Sequence, residues 1–120
     1  MAQALRHAFV APAEVPVRHA HALGGADTLL LMPAWSKAED PQQYLGVKIV
    51  TVYPGNVARS LPGLVSTYIL YDAETGVPLA QMDGNEITSR RTAAASALAA
   101  SFLAPADARH LLVVGAGRVG

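Results

Sequence analysis

Cysteine is missing from all 120 residues, so disulfide staples, thiolate nucleophiles and thiolate metal ligands are excluded. A chain without disulfides fits a cytoplasmic protein. There is no surplus of either charge: nine Lys and Arg balance nine Asp and Glu, for a formal net charge of zero. Nucleic acid is therefore not the expected partner, because phosphate backbones demand a cationic surplus. No apolar run approaches the roughly 20 residues of a membrane-spanning helix, so no membrane partner is expected. The opening residues Met1-Ala2-Gln3-Ala4-Leu5-Arg6-His7 lack the apolar centre of a signal peptide. His7, His19, His21 and His110 fall into no metal-ligand spacing. His19 and His21 would share a strand face, but no carboxylate or third histidine lies at a useful separation, and no metal site is expected. A Gly-x-Ser-x-Gly nucleophile element is also missing.

What is present is enough apolar side chain for a core: 52% of the residues are hydrophobic, in a length that suits one domain. Leu5, Phe9 and Val10 suggest the end of an amphipathic helix over residues 1–10, closed by Pro12 and Pro16. Residues 28–32 read as a buried strand stopped by Pro33, and residues 35–43 as a polar loop or short helical turn. Residues 47–53 form a strand rich in β-branched side chains, ended by Pro54-Gly55-Asn56. Residues 64–71 and 77–82 are two more strands, and the turn Asp72-Ala73-Glu74-Thr75-Gly76 between them predicts an antiparallel hairpin. Residues 86–103 contain neither Gly nor Pro and are rich in Ala, which predicts a helix. Ile87, Ala94, Leu98 and Phe102 would share one face of it, with Arg91 in the same row and Arg90 pointing outward.

Residues 110–114 read as a short apolar strand that runs straight into Gly115-Ala116-Gly117-Arg118-Val119-Gly120. Gly-x-Gly-x-x-Gly after a strand is the fingerprint of a dinucleotide-binding turn. The first glycine makes the turn, the second admits a pyrophosphate close to backbone N–H groups, and the third lets the next helix pack on the strand. A glycine-rich tail with no ligand is the plain alternative.

Two cations stand out. Strand alternation puts Lys48 on one face with Val50 and Val52. If that face is interior, the ammonium needs a partner such as a substrate carboxylate; otherwise the strand is an edge and Lys48 is solvated. Arg91 could aim a guanidinium into a cleft and grip a carboxylate or phosphate in bidentate fashion. The helix alone favours a snorkelling surface arginine.

Several segments occur in an order that resembles the ornithine cyclodeaminase/mu-crystallin family. They are Leu31-Met32-Pro33-Ala34, Gly46-Val47-Lys48-Ile49-Val50, Tyr71-Asp72-Ala73-Glu74-Thr75-Gly76, Met82-Asp83-Gly84-Asn85, Arg91-Thr92-Ala93-Ala94-Ala95-Ser96 and Val114-Gly115-Ala116-Gly117. The match runs from about Val15 to the end. Its most specific part is the block Asp-Gly-x-x-Ile-Thr-x-x-Arg-Thr-Ala-Ala-Ala-Ser, which residues 83–96 fit residue for residue.

The resemblance implies an α/β fold. An α+β substrate-binding and dimerisation lobe would occupy residues 1–104, and the first strand and glycine loop of a Rossmann domain residues 105–120. It implies that Arg18 binds a substrate carboxylate, that Lys48 and Arg91 are two further cationic contacts, and that Met32 lines the pocket. Thr92 would lie at the cofactor phosphates, and Gly115, Gly117 and Gly120 in the pyrophosphate loop. The family's catalytic aspartate lies further along than Gly120, so no catalytic residue is expected here and the chain alone is expected to be inactive. Other departures are a start inside the family's first helix, Val65 where Gln is usual, and Gly-Arg-Val-Gly where many members have Gly-Val-Gln-Ala.

The implied activity is hydride transfer, with NAD or NADP, at the α-carbon of an amino or cyclic imino acid, in a homodimer. Ketimine or pyrroline-2-carboxylate reductase is favoured over ornithine cyclodeaminase. Cyclodeaminases tend to carry Lys-Tyr-Val-Asn-Gly-His-Pro, where this chain has Lys48-Ile49-Val50-Thr51-Val52-Tyr53-Pro54. The non-enzymatic alternative is an NADPH-dependent small-molecule binder of the mu-crystallin type.

Overall fold

The computed structural model describes residues 1–37, 41, 43–115 and 117. They are a mix of helix and antiparallel sheet, divided into two compact units.

The unit Pro12–Asn85 holds the sheet. Its strands are β1 (Ala13–Glu14), β2 (His19–Gly24), β3 (Asp27–Ser36), β4 (Tyr44–Val52), β5 (Leu64–Asp72) and β6 (Pro78–Asp83), with a 3-10 turn at Pro54–Arg59 between β4 and β5. All pairings are antiparallel, in the order β1-β3-β4-β5-β6, and β2 also pairs with β3. The β-branched and aromatic runs of β4 and β5 favour such a pleated, half-buried surface. Their ladder is unbroken from Tyr44 opposite Asp72 to Val52 opposite Leu64. The expected hairpin is present as β5 and β6.

Two expectations fail in β3. Pro33 does not stop the strand, and Trp35 and Ser36 are strand rather than loop. One edge of β3 is shared by β2, whose ladder ends at Leu31, and by β1, whose ladder begins at Trp35. Pro33 falls in the gap between them, where a strand tolerates a residue with no N–H to donate. Trp35 has partners on both sides, Glu14 and Leu45, and that pairing outweighs the polar local composition.

The other unit comprises Met1–Ala11 and Glu86–Gly120. It contains α1 (Ala2–Ala8) and most of α2 (Gly84–Leu103). Both helices were expected; α1 is shorter than residues 1–10, and Phe9 caps it. Arg6 sets its guanidinium 4.8 Å from the centre of the Phe102 ring, which is a cation–π distance. Leu98 is buried, but Phe102 is exposed, so the apolar stripe is covered over only part of its length. The strand expected at residues 110–114 is not formed. A strand needs hydrogen-bonded neighbours, and none of the described strands pairs with this segment.

Candidate substrate site

In an antiparallel sheet, residues directly opposite one another carry their side chains on the same face. The register therefore defines one row across the sheet: Met32 on β3, Lys48 on β4, Tyr68 on β5 and Met82 on β6. Arg18 lies one residue before the β2–β3 ladder, in which His19 faces Leu31 and Ala20 faces Leu30. Continuing that register would set Arg18 opposite Met32, at the end of the same row. Two residues singled out from sequence, Met32 and Lys48, are thus direct partners on one face, and Arg18 immediately precedes the strand that borders them.

Lys48 does not sit on an edge. β4 is paired on both sides, by β3 and β5, and Lys48 is half-buried. The solvated-edge alternative for this lysine falls on topology. Beside its row, Val50 and Ser66 are buried and face each other across β4 and β5.

Tyr68 was not singled out from sequence. It stands directly opposite Lys48, and its side chain leans across β4 onto Gly46. A Cβ on Gly46 would collide with the phenol oxygen and Cζ of Tyr68, so glycine there is what gives the ring its seat. Burial pushes the Tyr68 phenol above its ordinary pKa, because the phenolate would lose hydration. The group is a neutral hydroxyl at physiological pH.

The start of α2 is fixed by the Asp83-Gly84-Asn85 corner. Asp83 Oδ1 accepts the Asn85 N–H at 2.7 Å, and Ser66 Oγ donates to Asn85 Oδ1 at 2.8 Å. A Cβ on Gly84 would meet Ser66 Oγ at 2.6 Å and the Ser66 carbonyl carbon at 2.9 Å. Only glycine allows the chain to turn into the helix this close to β5.

Along α2, Arg90 pairs with Glu86 at 2.8 Å in an exposed i,i+4 bridge, as its outward position required. Arg91 is also exposed, whereas Ile87, Ala94 and Thr92 are half-buried. Arg91 shares the row of Leu98, but its long stem carries the guanidinium out of that row into solvent. Gly115 has a φ of +95°, a turn conformation suited to glycine and consistent with the first position of a pyrophosphate loop. Gly117 is exposed. Gly120 lies outside the described residues. No described helix is long and apolar enough to cross a membrane.

A sequence model of the ornithine cyclodeaminase/mu-crystallin family matches residues 2–120. The ketimine reductase mu-crystallin of Rattus norvegicus is 45% identical over 87 residues, 72% of this chain and 27% of that protein. The Delta(1)-pyrroline-2-carboxylate reductase of Colwellia psychrerythraea is 35% identical over 121 residues, 96% of this chain and 37% of that protein. The chain thus spans well under half the length of these relatives. Among solved structures, Thermococcus litoralis Delta(1)-pyrroline-2-carboxylate reductase, in complex with NADH and L-proline, superposes with a TM-score of 0.72 at 34% identity. The match covers 88% of this chain and 32% of that one. An archaeal alanine dehydrogenase dimer with bound NAD also gives a TM-score of 0.72, at 35% identity over 88% of this chain and 31% of that one.

Proposed function

Since this chain belongs to the ornithine cyclodeaminase/mu-crystallin family, we propose that it supplies the carboxylate-gripping face of an NAD- or NADP-dependent enzyme. The enzyme would transfer hydride at the α-carbon of an amino or cyclic imino acid. The observation that carries this reading is the pairing of Lys48 with Met32 on one face of the sheet, with Lys48 on a strand paired on both sides; Arg18 precedes β2, the strand next to Met32's.

In this reading Arg18, Lys48 and Arg91 hold the substrate carboxylate, and Met32 packs against the carbon skeleton. Cations on the carboxylate fix the α-carbon in place. They also offset the negative charge that would otherwise oppose an incoming hydride. Thr92, Gly115, Gly117 and Gly120 are assigned to the cofactor phosphates; the positive φ at Gly115 fits that role. The bound nicotinamide would supply or accept the hydride.

Residues 1–104 are assigned to a substrate and dimerisation lobe and residues 105–120 to the opening of a Rossmann domain. The enzyme as a whole is proposed to be a cytoplasmic homodimer. The 120 residues alone are proposed to be inactive, because they correspond to about a third or less of the solved pyrroline-2-carboxylate reductase.

The test is an assay of a full-length protein carrying this chain. Reduction of pyrroline-2-carboxylate by NADH and by NADPH is measured beside oxidation of ornithine and of alanine. Turnover of the cyclic imine is expected to exceed the other two. Absence of all three activities, in folded protein that binds the cofactor, sinks the reading.

A further inference from the structure

We propose that Tyr68 sets the ring size of the substrate that the site accepts, an inference that rests on the functional reading above. Lys48 has two lateral neighbours on its face, Met32 on β3 and Tyr68 on β5. A substrate whose carboxylate is held at Lys48 and whose skeleton lies along the sheet meets one or both of them. Met32 is an unbranched, flexible side chain that adapts to what it touches. Tyr68 is a rigid ring, seated on the space that Gly46 leaves open. Of the two neighbours, Tyr68 is the one that imposes a fixed boundary.

The phenol is a neutral hydroxyl at physiological pH, and burial raises its pKa further, so it does not compete as an anion for the cations assigned to the substrate. Its contribution is shape. Loss of the ring would open the floor over Gly46, two residues from Lys48 on the same face of β4, by the volume of the phenol.

The experiment compares two cyclic imines in the full-length enzyme: five-membered pyrroline-2-carboxylate and its six-membered homologue, which differs by one methylene. Tyr68→Val keeps a residue suited to strands and removes the ring. It is expected to raise the ratio of kcat/KM for the six-membered over the five-membered imine by about ten-fold or more, the range for one methylene in an apolar pocket. Tyr68→Phe keeps the ring, and its ratio should stay within about two-fold of the parent on the same scale. Tyr68→Leu should move the ratio in the same direction as Val, and it carries the test if the valine variant does not fold. An unchanged ratio in folded, active Val or Leu variants overturns the inference alone. A Phe variant shifted as far as Val also overturns it, because the hydroxyl rather than the ring would then govern the choice. A parent enzyme that turns over neither imine, nor ornithine, nor alanine overturns the functional reading and this inference with it.

Discussion

Lys48 is a cation half-buried in the middle of a sheet, on a strand paired on both sides. Its proposed function makes that position useful. A charge-assisted hydrogen bond to a carboxylate is worth roughly 1.5–3 kcal/mol. Lys48→Met or Arg91→Met in the full-length enzyme should therefore lower kcat/KM by about ten- to a hundred-fold. Met keeps most of the apolar stem, so both variants are expected to fold. Parent-like kinetics in both variants would remove these residues from the substrate site. A second expectation concerns Gly46. A methyl group there collides with Tyr68, and such overpacking costs about 1–3 kcal/mol. Gly46→Ala should therefore destabilise the parent, yet cost much less in a Tyr68→Val background, where the seat is vacant. Chemical denaturation of the four proteins closes the cycle; equal costs in both backgrounds would show that the two side chains do not meet. Strand alternation alone gave the face of Lys48 but not its neighbours. Which residue of β5 stands opposite it depends on pairing between strands 20 positions apart, and a local pattern carries no register. Tyr68 was missed for that reason.

At the scale of elements, the best-read features were those with local causes. The β5–β6 turn is an example. Asp72 Oδ1 accepts the N–H of Thr75 at 2.8 Å, the N–H of Glu74 at 3.0 Å and the Thr75 hydroxyl at 2.9 Å. The side chain thus closes the turn together with the backbone bonds from Gly76 N–H to the Asp72 carbonyl at 2.9 Å and from Asp72 N–H to the Val77 carbonyl at 3.0 Å. The backbone bond from Thr75, followed by its hydroxyl, holds the Asp72 carboxyl below the usual carboxylate range. A group whose folded pKa is depressed contributes stability above its unfolded pKa and loses it as pH falls through the folded value. The hairpin should therefore weaken in acid. The thermal midpoint of the parent should exceed that of Asp72→Ala at neutral pH, and the difference should shrink as pH drops below the ordinary carboxylate range. A difference independent of pH would mean that the ionised carboxylate is not what holds the turn. The misread elements depend on distant partners. Pro33 stays within β3 because the edges of β1 and β2 leave it a gap, and residues 110–114 carry a strand's composition without a strand's neighbours.

The whole molecule has a sheet with more apolar surface than it buries. No large side chain is fully buried among the described residues. The face opposite Lys48 holds Leu31, Trp35, Val47, Ile49, Ile69 and Tyr71, linked by the pairs Leu31 with Ile49 and Val47 with Ile69. None of these six is buried, and the residues of β3, β4 and β5 between 29 and 71 that point this way include no charged side chain. Antiparallel sheets commonly leave one face to water, but that face is then polar. An apolar patch on β3, β4 and β5, with ionisable residues such as Glu14, His19 and Asp83 on the flanking strands, suits a symmetric partner, since a two-fold pairing needs one self-complementary patch. The archaeal alanine dehydrogenase neighbour is itself a dimer. A full-length protein carrying this chain should therefore sediment as a dimer at micromolar concentration. Ile49→Asp, near the middle of the patch, would trap a carboxylate without a partner in the interface, at a cost of several kcal/mol, and should yield monomer. Lys48→Met, one residue away but on the opposite face, should leave the dimer intact. Dissociation by both variants would point to general damage to β4. Dissociation by neither, or a parent that is monomeric from the outset, would assign this apolar face to something other than a second copy.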